Sequence, residues 1–265
     1  MTLLLDIGNT HTHAGLASSE KIQRHMDVPT GEWMERGRPS ATLLRWVGSR
    51  KITQVAICSV VPSATSAAVK LITGIWGLTP FVLTSATVTG VGLDYPKPHT
   101  IGADRLANAI AAKARYGSPS VVVDFGTAVT FDVLDRRGCY VGGVIAPGLA
   151  AMTDYLHEKT ALLPRITIRD IKAVVGKSTE EAMLIGAVHG YRGLIRELAF
   201  RLKRQLKCRL LPLIATGGYA RLMAAGLPEI TAVDPLLTLE GLRLAAAGHT
   251  KGVQRVGSLS MPRQV

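Results

Sequence analysis

The chain has 265 residues, enough for one large domain or two of ordinary size, and its composition of 47% hydrophobic but 5% aromatic residues predicts aliphatic cores. Lys and Arg (31) outnumber Asp and Glu (19), and the formal charge of +12 suits either a nucleic-acid partner or a field that attracts anionic substrates. No apolar run reaches the roughly 18 residues of a membrane span, no basic n-region of a signal peptide is seen, and Cys58, Cys139 and Cys208 form no CxxC or zinc pattern; a reduced, cytoplasmic protein with no membrane partner is expected.

Residues 3–16, LLLDIGNTHTHAGL, read as a buried strand, a tight turn and a returning strand. The strand carries Asp6 to its mouth. The turn holds Gly8, Asn9 and Thr10, and Gly8 can take positive φ and let backbone N–H groups face an anion. Asp6 is then placed to hold Mg²⁺, which prefers one or two carboxylates plus phosphate oxygens. A hairpin whose Asp and Asn only shape the turn is the alternative. A polar stretch over 30–40 predicts a loop and a helix start, and 41–47 a helix. VAICSVV, 55–61, predicts a strand stopped by Pro62, followed by a helix over 64–75 and a short strand over 81–83. This alternation argues for an α/β layer fold. Residues 91–100, with two prolines, predict an extended loop, and the Ala-rich run to 116 predicts a helix. Asp104 falls in its first turn, where the helix dipole is expected to keep it ionised.

Residues 121–134, VVVDFGTAVTFDVL, repeat the opening stretch. Without gaps, Asp6, Gly8, Thr12 and Leu16 align with Asp124, Gly126, Thr130 and Leu134. The pair suggests a duplicated fold whose two turns face each other across a cleft. In this the chain resembles the superfamily of acetate kinase, sugar kinases, heat-shock ATPases and actin. The expected division is 1–117 and 118–247, two duplicated ribonuclease-H-like (actin-like ATPase) domains, with a frayed tail over 248–265. Within the second half, 140–149 predict a strand and a tight turn, and 152–172 have no clear assignment. Ser178-x-x-Glu181 has the capping-box form and opens a helix through about Lys203. Residues 211–215 predict a strand running into Thr216-Gly217-Gly218 and a helix from Tyr219, and 239–247 a further helix.

Several chemistries fail on spacing. Gly176-Lys177-Ser178 mimics the end of a P-loop, but Ile171 stands where its first glycine belongs. No GxGxxG follows a strand, and no Gly-x-Ser-x-Gly elbow is present. His11 and His13 lack a third ligand and read as surface or supporting residues. The basic run from Arg192 to Arg209 lacks interleaved aromatics and suits the solvated face of a helix, so no specific nucleic-acid binding is expected. Asp6, Asp124 and Asp104 remain. Phosphoryl transfer needs a cation for the phosphates and a base aimed at an acceptor hydroxyl, and these carboxylates can supply both. For Asp104 a helix cap is the alternative.

DIGNT (6–10), SVVP (59–62), GADR (102–105), DFGTAVTFD (124–132), GGVIAPG (142–148) and TGG (216–218) occur in the order and spacing of type III pantothenate kinases, which the chain resembles to about Arg243. The resemblance implies ATP-dependent phosphorylation of pantothenate in the first step of coenzyme A synthesis, by a cytoplasmic homodimer needing Mg²⁺ or another divalent metal and K⁺ or NH₄⁺. It implies Asp104 as proton acceptor. Asp6, Ile7, Gly8, Asn9, Thr10, His11, Thr12, His13, Thr127, Gly217 and Gly218 would bind ATP, with Asp6 on the divalent metal and Asp124 on the monovalent one. Tyr95, Gly102, Ala103, Asp104, Arg105 and Thr179 would line the pantothenate site. A non-catalytic regulator of transcription on the same fold is the alternative; it would not need Asp104 beside two intact phosphate turns.

Overall fold

The computed structural model describes residues 1–31 and 41–257, the last eight of these by backbone alone. Beyond Gly31, the loop and helix start expected over 30–40 therefore lie outside the described residues, as does the end of the expected tail. The chain forms two compact units, one of Met1–Arg115 joined by the segment from Leu237 onward, the other of Tyr116–Leu236.

The first unit is built on strands β1 (Thr2–Ile7), β2 (His11–Ala17), β3 (Ile22–Pro29), β4 (Gln54–Ser59) and β5 (Phe81–Val82), in the order β3-β2-β1-β4-β5. The first three are antiparallel and β4 and β5 add in parallel, which requires crossovers between them. Helices α1 (Ala41–Val47) and α2 (Pro62–Trp76) supply the layer on the Leu3, Leu5, Ile57 core. Pro62 does not merely stop β4. It sits at the start of α2, where its missing N–H costs nothing. Gly77 closes α2 at φ 63°, returning its N–H to Thr73 O. Helix α3 (Ala103–Tyr116) is buried continuously from Leu106 to Ala112, and small alanines let another backbone come close.

The second unit carries β6 (Ser120–Phe125), β7 (Ala128–Leu134), β8 (Cys139–Pro147), β9 (Leu213–Thr216) and β10 (Ala232–Val233). They run β8-β7-β6-β9-β10, again three antiparallel strands followed by two parallel ones. Two units with one strand order, each with its Asp at the end of the first strand, form the duplicated ribonuclease-H-like arrangement. The register corrects the ungapped alignment. Asp6 faces His13 across the ladder, while Asp124 faces Thr130, because the second turn is one residue shorter. Thr130 thus corresponds to His13 rather than Thr12.

Helix α4 (Leu149–Lys159) fills the start of the stretch left unassigned in the sequence. The helix expected after Ser178 is α5 (Thr179–Ile185), a π segment (Gly186–Gly190) and α6 (Tyr191–Gln205). Its cap forms as expected: Ser178 Oγ accepts from Glu181 N–H at 3.2 Å, and the Glu181 carboxylate accepts from Lys177 N–H at 2.7 Å. Helix α7 (Ala220–Ala224) follows the Thr216-Gly217-Gly218 turn. The basic run is not all solvated. Arg192 is buried, with its guanidinium on Asp170 at 3.0 Å and on Leu222 O at 2.7 Å.

Helix α8 (Leu237–Gly257) belongs to the first unit, not the second, and continues where a frayed tail was expected. Gly241 lies so close to Ala107 that a Cβ would stand 2.5 Å from its carbonyl carbon. Thr238 Oγ1 donates to Asn108 Oδ1 at 2.8 Å, and Arg243 grips Glu240 through two 2.8 Å bonds while donating to Ser19 O. These contacts tie α8 to α3 and to the β2–β3 connection.

Candidate active site

In the first unit, β1 delivers Asp6 to the edge of the sheet and β4 lays Cys58 beside it in register. The turn after β1 is braced from within. Gly8 N–H donates to His11 O at 3.0 Å, Thr30 N–H to Thr10 O at 3.0 Å and Thr30 Oγ1 to Gly8 O at 2.7 Å. Gly8 is not at positive φ, and its N–H is committed to the turn rather than turned to an anion. Its value is close approach, since a Cβ there would meet His11 O at 3.0 Å. Ile7 and Thr12 are buried, the latter on Thr30 Oγ1 at 3.1 Å, so only their backbones can face a nucleotide. Asn9, Thr10, His11 and His13 are exposed, and His13 Nδ1 meets Asp27 Oδ1 at 2.6 Å.

Asp104 opens α3, its carboxylate folded back over Gly102 and accepting from Arg105 N–H at 2.8 Å. Burial lifts its carboxyl above the usual carboxylate range, while that N–H and the Arg105 guanidinium pull partway back. Desolvation thus opposes the helix-start field expected to keep Asp104 ionised, and the net direction is upward. A base raised toward neutrality is better matched to proton transfer than an ordinary aspartate. Burial first, and then the negative charges of Asp6 and Asp104, raise the Cys58 thiol well above its ordinary range.

Beside Asp104 lies a concavity of about 570 Å³. Gly102 and Ala103 line it, with Ser59 and Val60 from the end of β4, the Thr84–Ser85 turn and His99. Of the predicted acceptor-site residues, Gly102, Ala103, Asp104 and Arg105 are thus together. Tyr95, 36% exposed, sits on the preceding loop, and Thr179 is an exposed residue at the start of α5 in the other unit.

The second unit gathers Asp124, Gly126, Thr127, Gly148 and Gly217. A Cβ on Gly217, at φ +88°, would stand 2.5 Å from Asp124 Oδ1 and 2.7 Å from the Phe125 carbonyl carbon. One on Gly148 would run into Thr127 O and lie 2.7 Å from Gly126 O. Gly148 is required by the carbonyl oxygens packed against it, and Gly217 by the Asp124 carboxylate and the Phe125 backbone. Such a donor set suits a hard cation. Thr127 and Gly218 stand exposed at its rim.

Among the described residues no three His, Cys, Asp or Glu side chains cluster as a metal cage. Sequence reasoning missed Cys58, Gly148 and the Thr84–Ser85 wall. The first two lay within or next to the SVVP and GGVIAPG motifs, whereas the third carries no sequence signal.

The model of the type III pantothenate kinase family matches residues 2–201. A type III pantothenate kinase of Akkermansia muciniphila is 48% identical over 247 residues, covering 92% of this chain and 97% of its own. That of Methylacidiphilum infernorum is 40% identical over 245 residues, covering 91% and 86%. Among solved structures, a candidate Baf family transcriptional activator from Campylobacter jejuni superposes with a TM-score of 0.63 at 20% identity, over 94% of this chain and 99% of that one, a likeness of fold. On these matches, over most of its length, the chain belongs to the type III pantothenate kinase family.

Proposed function

We propose that this chain transfers the γ-phosphoryl group of ATP to the primary hydroxyl of pantothenate, opening coenzyme A synthesis. The observation that carries the reading is the half-buried Asp104 carboxylate at the head of α3, beside a concavity and in the same unit as the strand-end Asp6. Asp104 accepts the hydroxyl proton as that oxygen attacks phosphorus, and burial suits it to the task. Arg105 lies next to it and supplies a positive charge at the same wall. Asp6 and the turn to His13 take the nucleotide phosphates in the first unit; Thr127, Gly217 and Gly218 take the nucleotide in the second. A divalent metal, bound through Asp6, would neutralise phosphate charge. The oxygens around Gly148 and Gly217, with Asp124, suit K⁺ or NH₄⁺. Tyr95 completes the part of the pantothenate site that the first unit carries.

A homodimer in the cytoplasm fits the exposed apolar Ile145, Leu162 and Val174 of the second unit, which a second copy would cover. No helix among the described residues is long and apolar enough to cross a membrane. A coupled ADP-release assay tests the reading. ADP should form only with pantothenate and a divalent metal present, and chelation should stop it. Pantothenate-independent release, or full activity after exhaustive chelation, would overturn it.

A further inference from the structure

The thiol of Cys58 has no part in the chemistry above, yet it is fully buried at the centre of it. Strand β4 runs parallel to β1 with Cys58 opposite Asp6. In a parallel pair, residues in register point to the same face of the sheet, so the two side chains are neighbours. The second unit repeats the placement. There β9 sets Thr216, also buried, opposite Asp124. At the same place in both copies, a short side chain with one proton to donate stands beside the strand-end carboxylate.

We propose that Cys58 is a positioning residue for Asp6: its S–H donates to the Asp6 carboxylate and fixes which oxygen is left to face the metal-bound nucleotide. A thiol carries one hydrogen that it can donate, and at this register position, shut away from water, the Asp6 carboxylate beside it is the acceptor. A carboxylate held from behind loses less freedom when it takes a metal, the usual service of groups that support a ligand. The inference rests on the kinase reading, since it concerns the carboxylate assigned to the metal.

The test compares Cys58→Ala with Cys58→Ser by calorimetry, titrating Mg²⁺·ATP and, separately, ATP in excess chelator. Ala removes the donor. Ser keeps one, at a slightly shorter reach. The Ala variant should bind Mg²⁺·ATP roughly tenfold more weakly, with metal-free ATP unchanged, and Ser should restore affinity to within about twofold of the parent. Cys58→Val, closer to the thiol in bulk, reports the same loss if the Ala variant is unstable. Equal Mg²⁺·ATP affinity in Ala, Val and parent, or equal losses in Ala and Ser, would overturn the role of the donated proton while leaving the kinase reading intact. A parent that binds no Mg²⁺·ATP would overturn both.

Discussion

Replacing Asp104 by Asn separates catalysis from folding at a single atom. The Asn Oδ1 can still accept from Arg105 N–H, now 2.8 Å from the carboxylate, so the head of α3 keeps its local bond. What disappears is the ability to take a proton. Loss of a general base costs on the order of 10²–10⁴ in turnover, about 3–5 kcal/mol of transition-state stabilisation. ATP affinity should be nearly unchanged, because Asp6 and the turns are untouched. The raised carboxyl adds a second, signed expectation. Because burial favours the protonated form, the folded protein holds this proton above the pH at which the unfolded chain releases it. Asp104 therefore contributes stability below the ordinary carboxylate range, and that contribution is lost as pH rises through its raised pKa. At pH 8 the Asn variant should melt higher than the parent, and the gap should close as the pH falls below the ordinary carboxylate range. The acid limb of the parent's pH–rate profile should vanish with the substitution. The measurements are kcat with pantothenate, ATP titration by calorimetry, and melts followed by circular dichroism. A folded Asn variant turning over within a few-fold of the parent would reduce Asp104 to a helix cap, and one melting lower at pH 8 would refute the burial argument.

Two further outcomes test the second unit. Turnover should rise when K⁺ or NH₄⁺ replaces a large inert cation at equal ionic strength, and equal rates would remove the role given to Asp124. Gly217→Ala puts a Cβ 2.5 Å from Asp124 Oδ1 on a backbone at φ +88°. It should cost about 1–3 kcal/mol by overpacking and strain and weaken the response to K⁺, read from urea melts and cation titrations; a variant as stable as the parent would mean the turn yields easily.

Much of the site could be read in one dimension because its parts are local. A strand ending in Asp, a turn of small residues and a returning strand lie within a dozen residues, and the second copy declares itself by repetition. The Ser178 cap is likewise a four-residue device. What could not be read depends on three-dimensional return. The one-residue difference between the twin turns shows only in the ladder, where Asp6 faces His13 and Asp124 faces Thr130. Arg192 looks like its basic neighbours, yet helical spacing puts it with Tyr191, Ile195 and Ala199 on the buried side, where Asp170 meets it. At Asp104 the dipole of its own helix is visible in the sequence, whereas the protein packed around the carboxylate, which opposes that dipole, is not.

The discontinuity of the first unit has a consequence for how the protein is made. Its sheet and α3 are written in the first 115 residues, but α8, which lies against Ala107 and holds Asn108 and Ser19, comes only after the whole second unit. On the ribosome the second unit has all of its own chain before the first has its last helix. Until then the Ala107–Asn108 face of α3 waits exposed, with the polar Asn108 lacking Thr238. Closing such long-range contacts is slow, and an unfinished apolar face invites aggregation. A fragment ending at residue 115 would keep this defect permanently, whereas 1–115 joined through a short linker to 237–257 would carry every described element of the unit in one continuous chain.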